Sequence, residues 1–338
     1  MATTSDAMGL IGPVGRRRSA LAADWRAPDG RRTLQLFLAT VWLLDAVLQF
    51  QPYMFTKAFG NQMIASRAVG NPSGLAGQIN WAGHTIGHHA MASNTIFAFV
   101  QLFIALGIAW RPTVKIALAG SVVWSIAVWW IGEGLGGVLT ATANPVSDAP
   151  GAVILYALLA VLLWPTDRQP STAAFVAARP LGAPAARGLW LLLWGSFVYD
   201  ALLAANRSPQ ALHDMFASMA AGQPHWLASV DTAAAGLVAH RGLAFSIVLA
   251  VLFGLIALGA FLPSAAARTT VVMAIALSAL IWVVGQRFGD VFSGSGTDLN
   301  TGPLLILLAV AFWPRRLTDA PAPDQSSDPS LSLGVSAA

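Results

Sequence analysis

Cysteine is absent from all 338 residues. That excludes disulfides, thiolate-held metals, iron–sulfur clusters and cysteine nucleophiles. Charge is scarce too. Only 10% of residues are Asp, Glu, Lys or Arg, against 56% hydrophobic, where a soluble domain carries roughly a quarter charged. Mean hydropathy is +0.64. This is the composition of a polytopic membrane protein. Lys57 and Lys115 are the only lysines and Glu133 the only glutamate. The net charge of +4 comes from arginines scattered between apolar runs, so membrane topology explains it and nucleic acid is not an expected partner. Walker, G-x-S-x-G and H-E-x-x-H motifs are missing, and nothing couples the chain to ATP.

What the chain does have is apolar runs, at about 34–50, 88–110, 114–132, 151–164, 188–205, 234–262, 270–285 and 302–314. A bilayer core asks for roughly 20 residues per helix. The expectation is an all-α protein with eight transmembrane helices, the fourth and eighth being short. Short cytoplasmic loops retain positive charge. Placing the N-terminal arginines inside also places Arg111, Lys115, Arg168, Arg179, Arg187, Arg268, Arg315 and Arg316 inside. Both termini are then cytoplasmic, as in a multi-pass protein of a bacterial inner membrane. The N-terminus has no continuous apolar core before a cleavage site and reads as an arm, not a signal peptide.

The sequence also repeats. "GHHAMASNTIFAFVQLFIALGIAWRP" aligns with "LVAHRGLAFSIVLAVLFGLIALGAFLP", pairing His89 with His240 and Pro112 with Pro263. "WWIGEGLGG" aligns with "WVVGQRFGD", pairing Glu133 with Gln286, and "WLLDAVLQFQP" with "FVYDALLAANRSP", pairing Asp45 with Asp200. Four helices per unit is an even number, so both units cross in the same sense, as two parallel repeats. The expected parts are an N-terminal arm at 1–33, a first repeat at 34–165, a linker at 166–187, a second repeat at 188–314 and a disordered tail at 315–338. In each unit a long outer segment after the first helix mixes apolar and polar residues and reads as amphipathic helix lying on the membrane surface.

With this topology every histidine, and Glu133, falls on the outer side. His84 and His88, at i and i+4, share one helix face, a spacing by which two imidazoles hold one metal; His89 points about 100° away. Asp45 and Asp200 lie inside the first helix of each unit, where a charge costs roughly 2.5–3.5 kcal/mol unless it finds a partner. The glycine-rich turn after Trp129 and Trp130 carries Glu133, and its counterpart carries Gln286 and Arg287. The site expectation therefore has Glu133 and Asp45 as catalytic groups and His84, His88 and His89 as metal ligands. Trp129, Trp130, His240, Asp200, Gln286 and Arg287 would bind a cofactor. The bland alternatives are interfacial histidines and tryptophans and carboxyls that only fix helix packing.

A four-helix unit with an outer amphipathic segment, and a basic proline turn (Arg111-Pro112) between its second and third helices, resembles the DoxX/DoxD-like membrane proteins. The resemblance would make the chain a tandem duplication of that unit, and implies a redox-associated membrane role. The expected function is thus a membrane oxidoreductase or subunit of one, with a quinone or a transition metal (Cu, Zn or Fe) in the outer leaflet and a periplasmic or membrane redox partner. A small-solute or metal-ion transporter and an assembly scaffold are the competing readings.

Overall fold

The computed structural model describes residues 29–166, 173–220 and 223–314. Most of the expected N-terminal arm, Arg168 and the whole tail from residue 315 lie outside the described residues. Within them the chain is helical with no strand.

Helix α1 (Gly30–Leu48) begins four residues before its apolar run, because the Asp29 side chain caps it, accepting from the Arg31 N–H at 3.1 Å. A 3-10 turn (Pro52–Phe55) and a π-helical segment (Phe59–Ile64) lead to α2 (Ser73–His88), α3 (Ala90–Ala109), α4 (Val114–Ile131) and α5 (Ala152–Leu162). After the short α6 (Ala178–Leu181) come α7 (Ala183–Ala201), α8 (Ala204–Arg207), α9 (Ala211–Met219), α10 (His225–Val238), α11 (Gly242–Gly259), α12 (Ser264–Leu280) and α13 (Thr301–Ala311).

Among the described residues, four stretches are long and apolar enough to cross a membrane: Ala90–Ala109, Arg111–Ile131, Gly242–Gly259 and Ser264–Gly285. Helix α3 shows how such a helix is built. Asn94, Ala98, Gln101, Ala105 and Ile108 form a buried stripe at helical spacing. Ile96, Phe99, Phe103, Leu106 and Trp110 form an opposite stripe that is exposed and equally apolar. A helix apolar on its outward face suits lipid, not water.

Helices α5 and α13 have 11 residues each, about 17 Å at 1.5 Å per residue, well short of a ~30 Å hydrocarbon core. Each follows a long irregular segment, 132–151 or 286–300, with left-handed backbone at Leu135, Gly136 and Gly137 and at Phe288 and Gly289. Such backbone needs hydrogen-bond partners away from water, and both segments find them alike. Trp129 Nε1 donates to Pro150 O at 2.6 Å, and Trp282 Nε1 to Leu299 O at 2.8 Å. The N–H of Val153 donates to Glu133 Oε1 at 3.3 Å, and that of Gly302 to Gln286 Oε1 at 3.0 Å.

The two segments also cross over. Gln51 Nε2 donates to Gly296 O at 2.9 Å, tying the loop before α13 to the end of α1. Asn206 Nδ2 donates to Ala143 O at 2.7 Å, tying the loop before α5 to α8, just past the end of α7. Asn300 Nδ2 bridges the loops themselves, donating to Ser147 O at 3.1 Å. Residues 173–181, expected as linker, fold inward instead. Phe175 stacks on Phe312 with centroids 4.9 Å apart, and the Ala177 N–H donates to Ala311 O at 2.9 Å. Their apolar side chains, Phe175 and Val176 among them, have a core to enter, which a solvated linker lacks.

Candidate binding cavity

A cavity of about 570 Å³ is walled mainly by the first half of the chain. Its walls come from α1 (Trp42, Asp45, Gln49), α2 (Trp81, Thr85), α3 (Phe97, Gln101) and α4 (Trp124, Ala127), with Phe59, Met63 and Arg67 from the outer segment. Glu133 and Asp148 come from the loop before α5. The loop before α13 contributes Gly296, Thr297, Asp298 and Asn300. The site is therefore built from both halves.

The outer segment closes over it where Gly60 crosses Gly83 and Gly87. A Cβ on Gly60 would stand 2.3 Å from both Gly83 O and Gly87 N. Only hydrogen at that position lets the π-helical segment cross α2 so closely.

Polar pairing inside the cavity is incomplete, and the pattern is chemical. Tyr156 donates its hydroxyl to Asp45 Oδ2 in a short hydrogen bond, but Asp45 Oδ1, Gln49 Oε1, Gln101 Oε1 and Glu133 Oε2 have no partner in the protein. These are four buried carboxyl or amide oxygens. One buried donor, Trp124 Nε1, is also without a partner. Leaving a buried polar group unpaired costs roughly 1–3 kcal/mol, so these atoms are positions a ligand or a bound proton would satisfy.

Burial, and then the neighbouring charge of Asp298, push the Glu133 carboxyl from 4.5 up to about 8. Asp298 is also raised by burial, although the Thr297 hydroxyl, the Asn300 N–H and the Arg67 charge oppose the shift. Arg67 binds Asp148 at 2.7 Å on the partly exposed rim. At neutral pH Glu133 therefore carries a proton.

The second half contains no counterpart to this arrangement at the aligned positions. Gln286, where the first half has Glu133, is fully paired: its Nε2 donates to Thr301 Oγ1 at 2.6 Å and its Oε1 accepts from Gly302 N. Trp194, Phe197 and Phe253 pack ring against ring within the second half's core.

Of the residues expected from the sequence, Asp45 and Glu133 line the cavity. Asp200 is buried elsewhere, on α7. His84 and His88 do share a face, with ring centroids 4.4 Å apart, but both are exposed, as is His89, and none of the three lines the cavity. Among the described residues no group of three His, Cys, Asp or Glu is placed to hold a metal ion. His240, also exposed, contacts Gln210 at 3.2 Å. Trp129 serves the loop backbone, and Trp130 donates to Gln78 Oε1 at 2.9 Å on the surface. Arg287 binds Met219 O at 2.5 Å and Asp290 at 2.7 Å. The sequence reading missed Gln49, Gln101, Trp124, Arg67 and Asp298 as site residues. Gln101 and Trp124 were detectable as a polar group and an indole deep inside apolar runs, away from the interfaces that usually hold them. Compared with protein-family models, with curated proteins and with solved structures, the chain matches none.

Proposed function

We propose that this is an integral membrane protein of eight spans, two parallel four-helix repeats of the DoxX-like kind with both termini cytoplasmic. Its first repeat binds a small hydroxylated aromatic ligand of the quinol class, as a redox-associated membrane subunit. The paired loops support the duplication, because Trp129 and Trp282, Glu133 and Gln286, and Gln51 and Asn206 make matching hydrogen bonds at aligned positions.

The observation that carries the functional reading is the set of unpartnered cavity atoms: the acceptors Asp45 Oδ1, Gln49 Oε1 and Gln101 Oε1, the protonated Glu133 carboxyl and one indole donor between aromatic walls. A quinol hydroxyl both donates and accepts, so it satisfies either kind, and its ring stacks on Trp or Phe. Asp45 and Glu133 would hold the hydroxyls, with Glu133 exchanging a proton and Arg67 and Asp148 leading to the water-facing rim. The chain's own groups supply binding and proton exchange; the electrons require a redox partner. A metal at His84, His88 and His89 finds no comparable support. The second reading, proton-linked transport of an organic cation, is favoured by the excess of carboxyls over the single lining Arg67.

Quinones quench indole fluorescence, and Trp42, Trp81 and Trp124 line the cavity. Saturable quenching by tetramethylbenzoquinone, displaced by its quinol and weakened roughly tenfold or more in Asp45→Asn, is the expected result. Quenching that never saturates, or that a tetraalkylammonium ion displaces while the quinol does not, would overturn the quinol reading, the latter in favour of transport.

A further inference from the structure

On α4 and α2, residues that line the cavity are also exposed. On α4, Val123, Ile126 and Trp130 are exposed at the spacing of one helix face, the outward apolar face. Ala127 belongs to that same stripe and is exposed, yet it also lines the cavity. On α2, Trp81 is 69% exposed and Thr85 is exposed, and both line the cavity as well. Residues that face inside and outside at once mark a mouth.

Its frame is well defined. Below, Phe97 of α3 and Trp124 of α4 meet with centroids 5.5 Å apart and close the gap between those helices. Above, Trp130 of α4 is tied to Gln78 of α2. Ala127 lies four residues before the end of α4 at Ile131, about 6 Å along the helix axis, so the mouth opens onto the apolar flank of the helix rather than past its tip. The polar rim formed by Arg67 and Asp148 is a separate part of the cavity lining.

Resting on the quinol reading above, we infer that Ala127, Thr85 and Trp81 frame a lateral portal to the bilayer, and that the ligand is an amphiphile whose hydrocarbon tail leaves through it. The head lies among Asp45, Gln101 and Glu133; the tail passes Ala127 into lipid. Alanine at 127 is the smallest side chain that keeps the helix regular, and it leaves the gap open. The polar headgroup is recognised by the unpartnered acceptors, whereas the tail gains only burial against apolar side chains, which sets no chain length.

The test compares a benzoquinone carrying a decyl chain with tetramethylbenzoquinone, by tryptophan quenching of the full chain in lipid nanodiscs. The variants are Ala127→Phe, Thr85→Phe on the opposite rim, and Ile126→Phe as a control on the lipid face away from the cavity. Either portal variant should weaken the tailed ligand roughly tenfold and the tailless one by less than about twofold, with Ile126→Phe unchanged for both. Equal affinity for the tailed ligand in wild type and both portal variants would overturn the portal, and so would an equal loss of both ligands. Binding of neither quinone to the wild type would remove the quinol reading, and the portal is then decided by lipids brominated in the acyl chain. Quenching that depends on Trp124 and disappears in Ala127→Phe upholds it; no Trp124-dependent quenching sinks it.

Discussion

Glu133 and Gln286 occupy matching places and differ by one atom, yet their surroundings make them chemically opposite. Gln286 has Thr301 to receive its amide; Glu133 has Ala152, which precedes Val153 as Thr301 precedes Gly302, and its Oε2 is left without a partner. Gly151, with φ of 100°, leaves room for that oxygen, since a Cβ there would stand 2.0 Å from it. Folding therefore holds a proton on Glu133 that the unfolded chain releases above 4.5. Because the folded state binds the extra proton, stability is full at low pH, declines as pH rises between 4.5 and about 8, and levels off above that. The double variant Glu133→Gln/Ala152→Thr copies the second half's pairing. Its thermal midpoint in detergent should depend less on pH between 5.5 and 8.5 than that of the wild type, and quinone quenching should be lost. A slope as steep as the wild type's would mean that Glu133 is not the titrating group. Tyr156→Phe makes a separate point. It strips Asp45 of its one side-chain partner, and an unpaired buried carboxyl should lower stability by roughly 1–3 kcal/mol, measured as a drop in the same midpoint with helical content kept.

At the scale of elements, the outer segment depends on a crossing that has no room for a methyl group. Gly60→Ala puts a carbon 2.3 Å from the backbone of α2 at Gly83 and Gly87, so the π-helical segment must lift, taking Phe59, Met63 and Ile64 away from the cavity. The expected outcome is a loss of about 1–3 kcal/mol together with weaker quinone quenching. A variant that keeps both would show that the segment can shift without opening the site. Much of this architecture was legible in the sequence, since apolar runs of helical length set α3, α4, α11 and α12, and the period of their buried residues follows the same signal. The polar placement of Asp45 and Glu133 was legible too, because an acid in an apolar run has few places to go. The exchange of loops was not. Periodicity records which face of a helix is buried but not which distant loop covers it, so Asp298 read only as one more outer carboxylate. The histidines misled for the same reason: their i, i+4 spacing fixes that two rings meet, and says nothing of whether a third ligand arrives.

At the scale of the whole molecule, the exchange of loops makes the two halves dependent on each other. Gly289, Asp290, Ser295, Gly296, Thr297, Asp298 and Asn300 complete a cavity whose other walls lie before residue 154, and α13 packs against both α1 and α5. Residues 173–181 add to the shared core by way of Phe175 and Ala177. A chain cut between residues 167 and 172 keeps all of these contacts intact, because none of them involves the cut region. The two fragments, 1–169 and 170–338, should therefore associate when co-expressed, copurify through a tag on either one, and restore saturable quinone quenching. The first fragment alone should show none, although it carries Asp45, Gln101, Glu133 and every aromatic wall of the site. Adding Asp298→Asn to the second fragment separates assembly from chemistry. Copurification should survive, since the Gln51 bond to Gly296 runs through the backbone oxygen. The pH at which quenching is lost should move downward, because the Asp298 charge, which raises the Glu133 pKa more than anything but burial, is gone while the opposing effect of Arg67 remains. Removing a repelling negative charge lowers the Glu133 pKa, so an unchanged or upward-moved loss of quenching would mean that the Glu133 proton does not set the pH dependence of binding. Independent folding and full quenching by the first fragment would defeat the shared-site picture outright.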